Sequence, residues 1–253
     1  MQVKHGQRLG QNFIADPYYL DRILSVAELN CSDIVLEIGT GYGDLTERLC
    51  KISDKVISYE IDRRLFSLAK ERLSSCTSLV LVNGNGLKCD YFFNKIVSNL
   101  PYAISKDFIY WLMEKDIISA TVILQKDFVE KLLAQPKAKN FRALSVIAQL
   151  SFKISVFDEV PPEAFNPIPK VYSSIVKFEP VNPQVINIRL RKQINLLFTF
   201  RGKKVNSVLK RLLKKPYDLP REVDLIRDER IEHLPPKSFL TLGNFLLSSV
   251  KAD

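Results

Sequence analysis

Histidine is nearly absent from this chain. Its 253 residues contain only His5 and His233, together with four cysteines, Cys31, Cys50, Cys76 and Cys89, none at C-x-x-C spacing. No nitrogen and sulfur ligands stand at zinc-site spacing and no disulfide framework is present, so no metal is expected. The cysteines read as reduced, mostly buried residues of a cytoplasmic protein. No apolar run approaches the ~18 residues that a membrane helix needs, so no membrane contact is expected. The polar start, Met1 to Phe13, has no apolar core of a leader peptide, and nothing marks it for secretion or import. Internal repeats and low-complexity tracts are lacking too. What is left is ordinary for a globular chain, 46% hydrophobic and 26% charged, long enough for one large domain or for one with a small companion.

Acid is scarce in one region above all. The formal net charge is +9, yet residues 1–182 hold 22 basic against 21 acidic side chains, while residues 183–253 hold 15 against 7. Between Arg201 and Lys215 stand seven basic residues and no acidic one, interleaved at helical spacing with Val205, Val208, Leu209, Leu212 and Leu213. One face of such a helix packs and the other presents a single sign of charge, the footprint of phosphate binding. The expected organisation is a near-neutral domain over 1–182, a linker bracketed by Pro180 and Pro183, and a basic helical domain over 183–253 with helices at 189–200, 203–213 and 238–250.

Within the first domain, apolar runs at 34–38, 55–59, 79–82, 95–98 and 120–124 alternate with helical stretches, the pattern of an α/β, mostly parallel, doubly wound sheet. Asp16 and Pro17 open the first helix. The run at 34–38 leads straight into Gly39-Thr40-Gly41-Tyr42-Gly43 and a helix, an arrangement that lets a ligand approach the backbone closely. The second strand ends in Glu60-Ile61-Asp62, where a carboxylate can accept from ribose hydroxyls; Asp62 is expected to cap the next helix instead.

The fourth strand runs into Asn99-Leu100-Pro101-Tyr102. Such a turn leaves the strand at the sheet edge where α/β sheets bind ligands. Proline contributes no donor, so the Asn99 side chain and the Leu100 carbonyl offer acceptors beside a flat ring, a set that suits an exocyclic purine amine. A plain strand-ending turn with a core tyrosine is the alternative. Farther on, Phe165 lies in a loop stiffened by prolines, Pro161 to Lys170, where it serves either as a core plug or as a stacking platform.

These segments together resemble the ribosomal RNA adenine dimethyltransferases. The likeness runs from Leu9 to about Val250. It is carried by Leu9-Gly10-Gln11-Asn12-Phe13, Leu36 to Gly43 with Leu45-Thr46, Glu60-Ile61-Asp62, Asn99 to Tyr102 with Ile104-Ser105, and Phe165 to Val171. Phe200 to Lys204 with Asn206 looks like that family's basic helix, and Tyr172 before Ser173 is closer to the archaeal branch. The resemblance implies a Rossmann-like class I methyltransferase sheet with a small all-helical C-terminal domain. It implies a monomer that uses S-adenosylmethionine to place two methyl groups on N6 of each of two adjacent adenosines near the 3′ end of small-subunit rRNA in a pre-ribosomal particle. Around the cofactor it places Gln11, Asn12, Ile14, Glu37, Gly39, Gly41, Glu60, Ile61, Asn85, Gly86 and Asn99. At the reacting base it places Asn99, Leu100, Pro101 and Tyr102, with Phe165 stacking from above. On the RNA it places Arg201, Lys203, Lys204, Lys210 and Arg211. One departure stands out, because the family usually has Asp where this chain has Asn85. Two rival readings share these motifs: a large-subunit rRNA methyltransferase of the macrolide-resistance type, and a ribosome-assembly factor that kept the fold without catalysis.

Overall fold

In the computed structural model, which describes residues 12–181, 186–213 and 218–250, the apolar runs pair into one seven-stranded sheet. In chain order the elements of this first unit are β1 (Phe13–Ile14), α1 (Pro17–Ala27), β2 (Ile34–Ile38), α2 (Asp44–Leu49), β3 (Lys55–Glu60), α3 (Arg63–Arg72), β4 (Leu79–Asn83), β5 (Lys95–Asn99), α4 (Ser105–Leu112) and β6 (Ser119–Gln125). Next come α5 (Lys126–Leu132), which begins in this unit, and α6 (Ala143–Ser151), which belongs to the second; the chain then re-enters the sheet through β7 (Phe152–Val160) and β9 (Ser173–Pro180), while β8 (Phe165–Asn166) between them pairs with β1 in a separate two-stranded sheet. The strand order is β4-β3-β2-β5-β6-β9-β7, parallel from β4 to β6, with β9 antiparallel to β6. Buried residues fill β2, β3, β5 and β6 almost continuously, as expected of strands covered on both faces.

Local chemistry sets the ends of these elements. The Asp16 side chain accepts from Tyr18 N–H at the start of α1, and Asp62 accepts from Arg64 and Leu65 at the start of α3, the capping role expected of it. α1 turns Leu20, Ile23, Val26 and Ala27 inward, where they join Val35, Val56, Val97, Ile123 and Ile175 of the sheet. β5 is pinned at its beginning by Lys95, whose ammonium lies 3.0 Å from Asp33 Oδ2 and 2.7 Å from the Glu28 carbonyl, all but sealed from water. Its far end carries Asn99.

The chain divides into two compact units, Met1–Val129 with Lys153–Pro180, and Glu130–Phe152 with Val181–Asp253. The second therefore takes in residues 130–152, which the sequence reading had assigned to the first. The reason is packing: α6 lies against α7 (Ile188–Phe198) and α10 (Pro236–Val250). There Phe141 meets Phe198 edge-on at 5.6 Å, and Phe198 stacks on Phe239 at 5.2 Å. α8 (Val205–Leu213) and α9 (Arg221–Asp224) complete a unit whose helices are joined by loops and turns, with one bridge between Lys204 and Arg230. Reapportioned this way, the first unit holds 18 basic against 20 acidic residues, a balance of −2, and the second 19 against 8, a balance of +11. The polarity read from the sequence becomes sharper.

Candidate active site

Three strand ends meet at one edge of the first unit. β2 leaves the sheet at Gly39, whose N–H donates to the Tyr59 carbonyl at 2.8 Å, and the loop turns through Gly41 with φ +58. A Cβ at Gly41 would lie 2.7 Å from the Phe13 ring, so conformation and space both require glycine there. Gly41 N–H donates to Glu60 Oε2 at 2.9 Å, and Asp62 N–H to Glu60 Oε1 at 2.8 Å. Glu60 thereby ties the loop to the end of β3. Burial pushes its carboxyl above the ordinary range, with those backbone donors pulling the other way.

Behind the loop runs a buried polar chain. Glu37 Oε2 accepts from Thr46 Oγ1 and from Ser58 Oγ, both at 2.6 Å, and Ser58 Oγ lies 2.6 Å from Thr40 Oγ1. Because the Ser58 proton goes to Glu37, Thr40 supplies the other. Glu37 Oε1 is buried without a hydrogen-bond partner among the described residues. Loss of hydration raises this carboxyl to about 8, against the pull of Ser58 and Thr46.

The β5 turn closes against the same loop. A Cβ at Gly39 would sit 3.5 Å from the Pro101 ring, which measures how near the two segments come. Asn99 Nδ2 donates to the Asn12 carbonyl at 2.7 Å, and Tyr102 is held through its hydroxyl, hydrogen-bonded to Ser173 Oγ. Leu100 is only 1% exposed. The result is a cleft of about 340 Å³ lined by Asn12, Phe13, Gly39, Gly41, Glu60 and the whole tetrapeptide Asn99 to Tyr102. A second hollow of about 330 Å³ shares Phe13, Gly39 and Asn99 with it and reaches Ile14, Glu37 and Tyr42.

Not every expected residue arrives there. Phe165 is a core plug: it is 2% exposed and pairs with Ile14 across the two-stranded β1–β8 sheet, so the stacking role expected of it is corrected. A proline-stiffened loop fixes where the backbone goes, but the apolar ring turned to the side that could bury it. Gly86 packs against Ile38 and Tyr59, Ile61 is 59% exposed, and Asn85 spends its Oδ1 on Leu87 N–H at 3.0 Å; none of these lines either hollow. Gln11 lies outside the described residues. Phe13 and Ser173 were given no role from the sequence, although an apolar ring in a polar entry segment and a serine pair inside a strand were the available signals. No group of three or more His, Cys, Asp or Glu side chains that could hold a metal ion occurs among the described residues.

In the second unit Lys203, Lys204, Lys210 and Arg211 are exposed, with Arg211 lying over the Phe200 ring at 5.2 Å and Lys204 3.5 Å from Asp228. Arg201 differs. Its Nε and Nη2 both reach Glu232 Oε2 at 2.7 Å, so it braces the helical unit rather than standing ready for phosphate, and the RNA contact expected of it is corrected accordingly.

Known proteins share this arrangement. The family model described as Ribosomal RNA adenine dimethylase matches residues 3–247. The chain is 34% identical over 253 residues to the "Probable ribosomal RNA small subunit methyltransferase A" of Methanosarcina acetivorans, covering 95% of this chain and 93% of the relative. It is 33% identical over 259 residues to the Ribosomal RNA small subunit methyltransferase A of Neisseria meningitidis, covering 98% of each. Among solved structures, a dimethyladenosine transferase from Plasmodium falciparum superposes with TM-score 0.82 at 27% identity, over 94% of this chain and 98% of that one. The 23S rRNA methyltransferase ErmE superposes less closely, with TM-score 0.70 at 27% identity, over 93% and 99%.

The buried Glu37 carboxyl gives stability a pH dependence with a definite sign. Folded, it titrates near 8; unfolded, near 4.5. Between those values the folded state holds a proton that the unfolded state has released, so stability falls as pH rises through the window. Glu37→Gln cannot titrate. Thermal melts from pH 5 to pH 9 should show the unsubstituted protein losing Tm relative to Glu37→Gln, on the order of 10 °C by the top of the range. Parallel melting curves would contradict this reading of the carboxyl.

Proposed function

The chain belongs to the ribosomal RNA adenine dimethylase family, and from that premise we propose how its own residues carry the reaction. It is an S-adenosylmethionine-dependent adenine dimethyltransferase of small-subunit rRNA. The observation that carries the site assignment is the single cleft joining the glycine turn and Glu60 to Asn99 through Tyr102.

The residues present fit the cofactor. Gly39 and Gly41 keep the loop backbone bare along the cleft and the hollow beside it, and Glu37, whose Oε1 is buried without a hydrogen-bond partner among the described residues, lines the hollow that Asn99 also lines. Gly39 and Gly41 would pass beneath it, Glu60 would accept from its ribose, and Asn12 and Ile14 would cover its methionine side. When bound, the cofactor supplies an electrophilic methyl group on a sulfonium.

Adenine N6 is a poor nucleophile because its lone pair is delocalised into the ring. The Asn99 nitrogen is already committed to the Asn12 carbonyl, which leaves Oδ1 to accept one N6 hydrogen, with the Leu100 carbonyl as the second acceptor. Drawing both hydrogens aside favours a tetrahedral nitrogen whose lone pair is available. Fixed dipoles and positioning can supply several kcal/mol in this way with no general base. Tyr102, its ring set by Ser173, would stack on the base once it has left its RNA partners. After one methyl is added, one N6 hydrogen remains for these acceptors.

The substrate form is proposed to be rRNA within a pre-ribosomal particle, modified at two adjacent adenosines near the 3′ end by a monomer in the cytoplasm. Its phosphates would be gripped by the exposed cations of the +11 unit, Lys203, Lys204, Lys210 and Arg211. No described helix is long and apolar enough to cross a membrane.

The direct test is mass spectrometry of rRNA after incubating separate small and large subunits with protein and S-adenosylmethionine. N6,N6-dimethyladenosine is expected in small-subunit RNA; product confined to large subunits would support the macrolide-resistance reading. Asn99→Ala should lower kcat by at least about a hundredfold and move cofactor Kd only a few-fold. Equal loss of both would count against the role of Asn99. Asn85 has one oxygen, which caps Leu87, whereas an aspartate has a second to accept from the cofactor's adenine amine. Asn85→Asp should therefore tighten cofactor binding by about tenfold in calorimetry, and an unchanged Kd would move the adenine elsewhere. Replacing Lys210 and Arg211 together by Gln should flatten the slope of log affinity for RNA against log salt by about 1.5; an unaltered slope would remove these cations from the interface.

A further inference from the structure

The sheet edge that presents Asn99 continues sideways. β5, β6 and β9 are neighbours, with Asn99 opposite Ile123 and Gln125 opposite Ser173. Lys126 leaves β6 and Tyr172 enters β9 at that edge, and Lys126 N–H donates to the Tyr172 carbonyl at 3.0 Å. Neighbouring strands lie 4.7–4.9 Å apart, so the Tyr172 backbone is displaced from β5 by about 10 Å.

Tyr172 and Ser173 point opposite ways, as adjacent residues of extended chain do. Ser173 is fully buried and anchors the Tyr102 hydroxyl, whereas Tyr172 is 47% exposed. One peptide unit thus ties the ring of the Asn99 turn to a second, outward ring. The Lys126 ammonium lies 5.9 Å from the centre of that second ring and is held by Glu159. With one face braced by a cation, the ring is oriented rather than loose on the surface. Exposed Ile168 and Lys170, in the loop leading to β9, stand close in sequence.

We propose that Tyr172, oriented by Lys126, is a second base-stacking subsite that holds the unpaired nucleotide flanking the adenosine seated at Asn99. The inference rests on the function proposed above. An aromatic face at a sheet edge stacks any unpaired base without reading its identity. Tyr172 points away from the side on which Ser173 holds the Tyr102 hydroxyl, so it does not sandwich the target adenine with Tyr102 and suits the neighbour in the chain. A flanking base held there keeps the strand splayed while the target is engaged. Because the Lys126 charge is answered by Glu159, the subsite contributes a stack and not a phosphate contact.

Full-length protein with Tyr172→Ala and Tyr172→Phe separates the possibilities through two readouts. The first is a single-stranded RNA carrying 2-aminopurine beside an adenosine. Its fluorescence should be quenched by the unsubstituted protein and by Tyr172→Phe, and the quench should be lost with Tyr172→Ala. The second is transfer to unmethylated small subunits, where Tyr172→Ala should raise KM about tenfold, with kcat within twofold, cofactor Kd unchanged and the salt slope of RNA binding unaltered. A quench that survives Tyr172→Ala, equal impairment of the phenylalanine variant, or a loss confined to kcat would overturn the subsite. Absence of any transfer by the unsubstituted protein would sink the functional reading instead, while the fluorescence result would still decide the subsite.

Discussion

A backbone carbonyl has no hydrogen to give, and this fixes the chemistry of the cleft. The Asn12 carbonyl accepts from the Asn99 amide at 2.7 Å, so the nitrogen of that amide must face it and the oxygen must face the other way. The two residues are 87 positions apart, and each is held independently. Asn12 immediately precedes Phe13 and Ile14, which pair with Asn166 and Phe165, while Asn99 closes a strand whose preceding residue, Ser98, bonds the Ile38 carbonyl at 2.7 Å. The Asn99 oxygen is thus held in one orientation, and in the proposed reaction it is aimed before the base arrives. Such preorganisation is what lets a dipole stabilise developing charge without the reorganisation that water would need.

The core residue Phe165 contributes to the same constraint from behind. It belongs to the same buried cluster as Ile14, Leu20, Ile23 and Ile175, so the β1–β8 pairing next to Asn12 is itself anchored in the hydrophobic core. In front, Phe13 fills the space over Gly41 and meets Tyr42 edge-on at 4.8 Å. The entry segment is therefore a structural wall of the cleft, with the buried Phe165 ring supporting it from the core.

Much of this architecture was legible from residues alone, because period and caps are local properties. The apolar runs marked every parallel strand to within a residue or two, and Asp16 and Asp62 cap the helices they were expected to cap. The tetrapeptide and the glycine turn were visible because each depends on its own residues. What escaped were choices made across long separations. Whether Val146 and Ile147 bury against the sheet or against α7 and α10 leaves the helical period of α6 unchanged. Arg201 reads as one more cation until Glu232, 31 residues on, takes it. Asn85 reads as a weaker aspartate until its only oxygen is seen capping Leu87.

The partition of charge explains why two units are needed. A base stripped of its partners is recognised by stacking and by aimed acceptors, interactions that salt scarcely touches, and the residues proposed for them sit in a unit whose balance is −2. With 20 acidic against 18 basic side chains, that unit has little general attraction for RNA backbone. In the proposed reaction, long-range attraction and grip on phosphate come instead from the +11 unit, where added salt weakens them without touching the chemistry. Affinity and reaction can then vary separately: a change in the cations alters how often RNA is held, and a change at Asn99 alters what happens once it is.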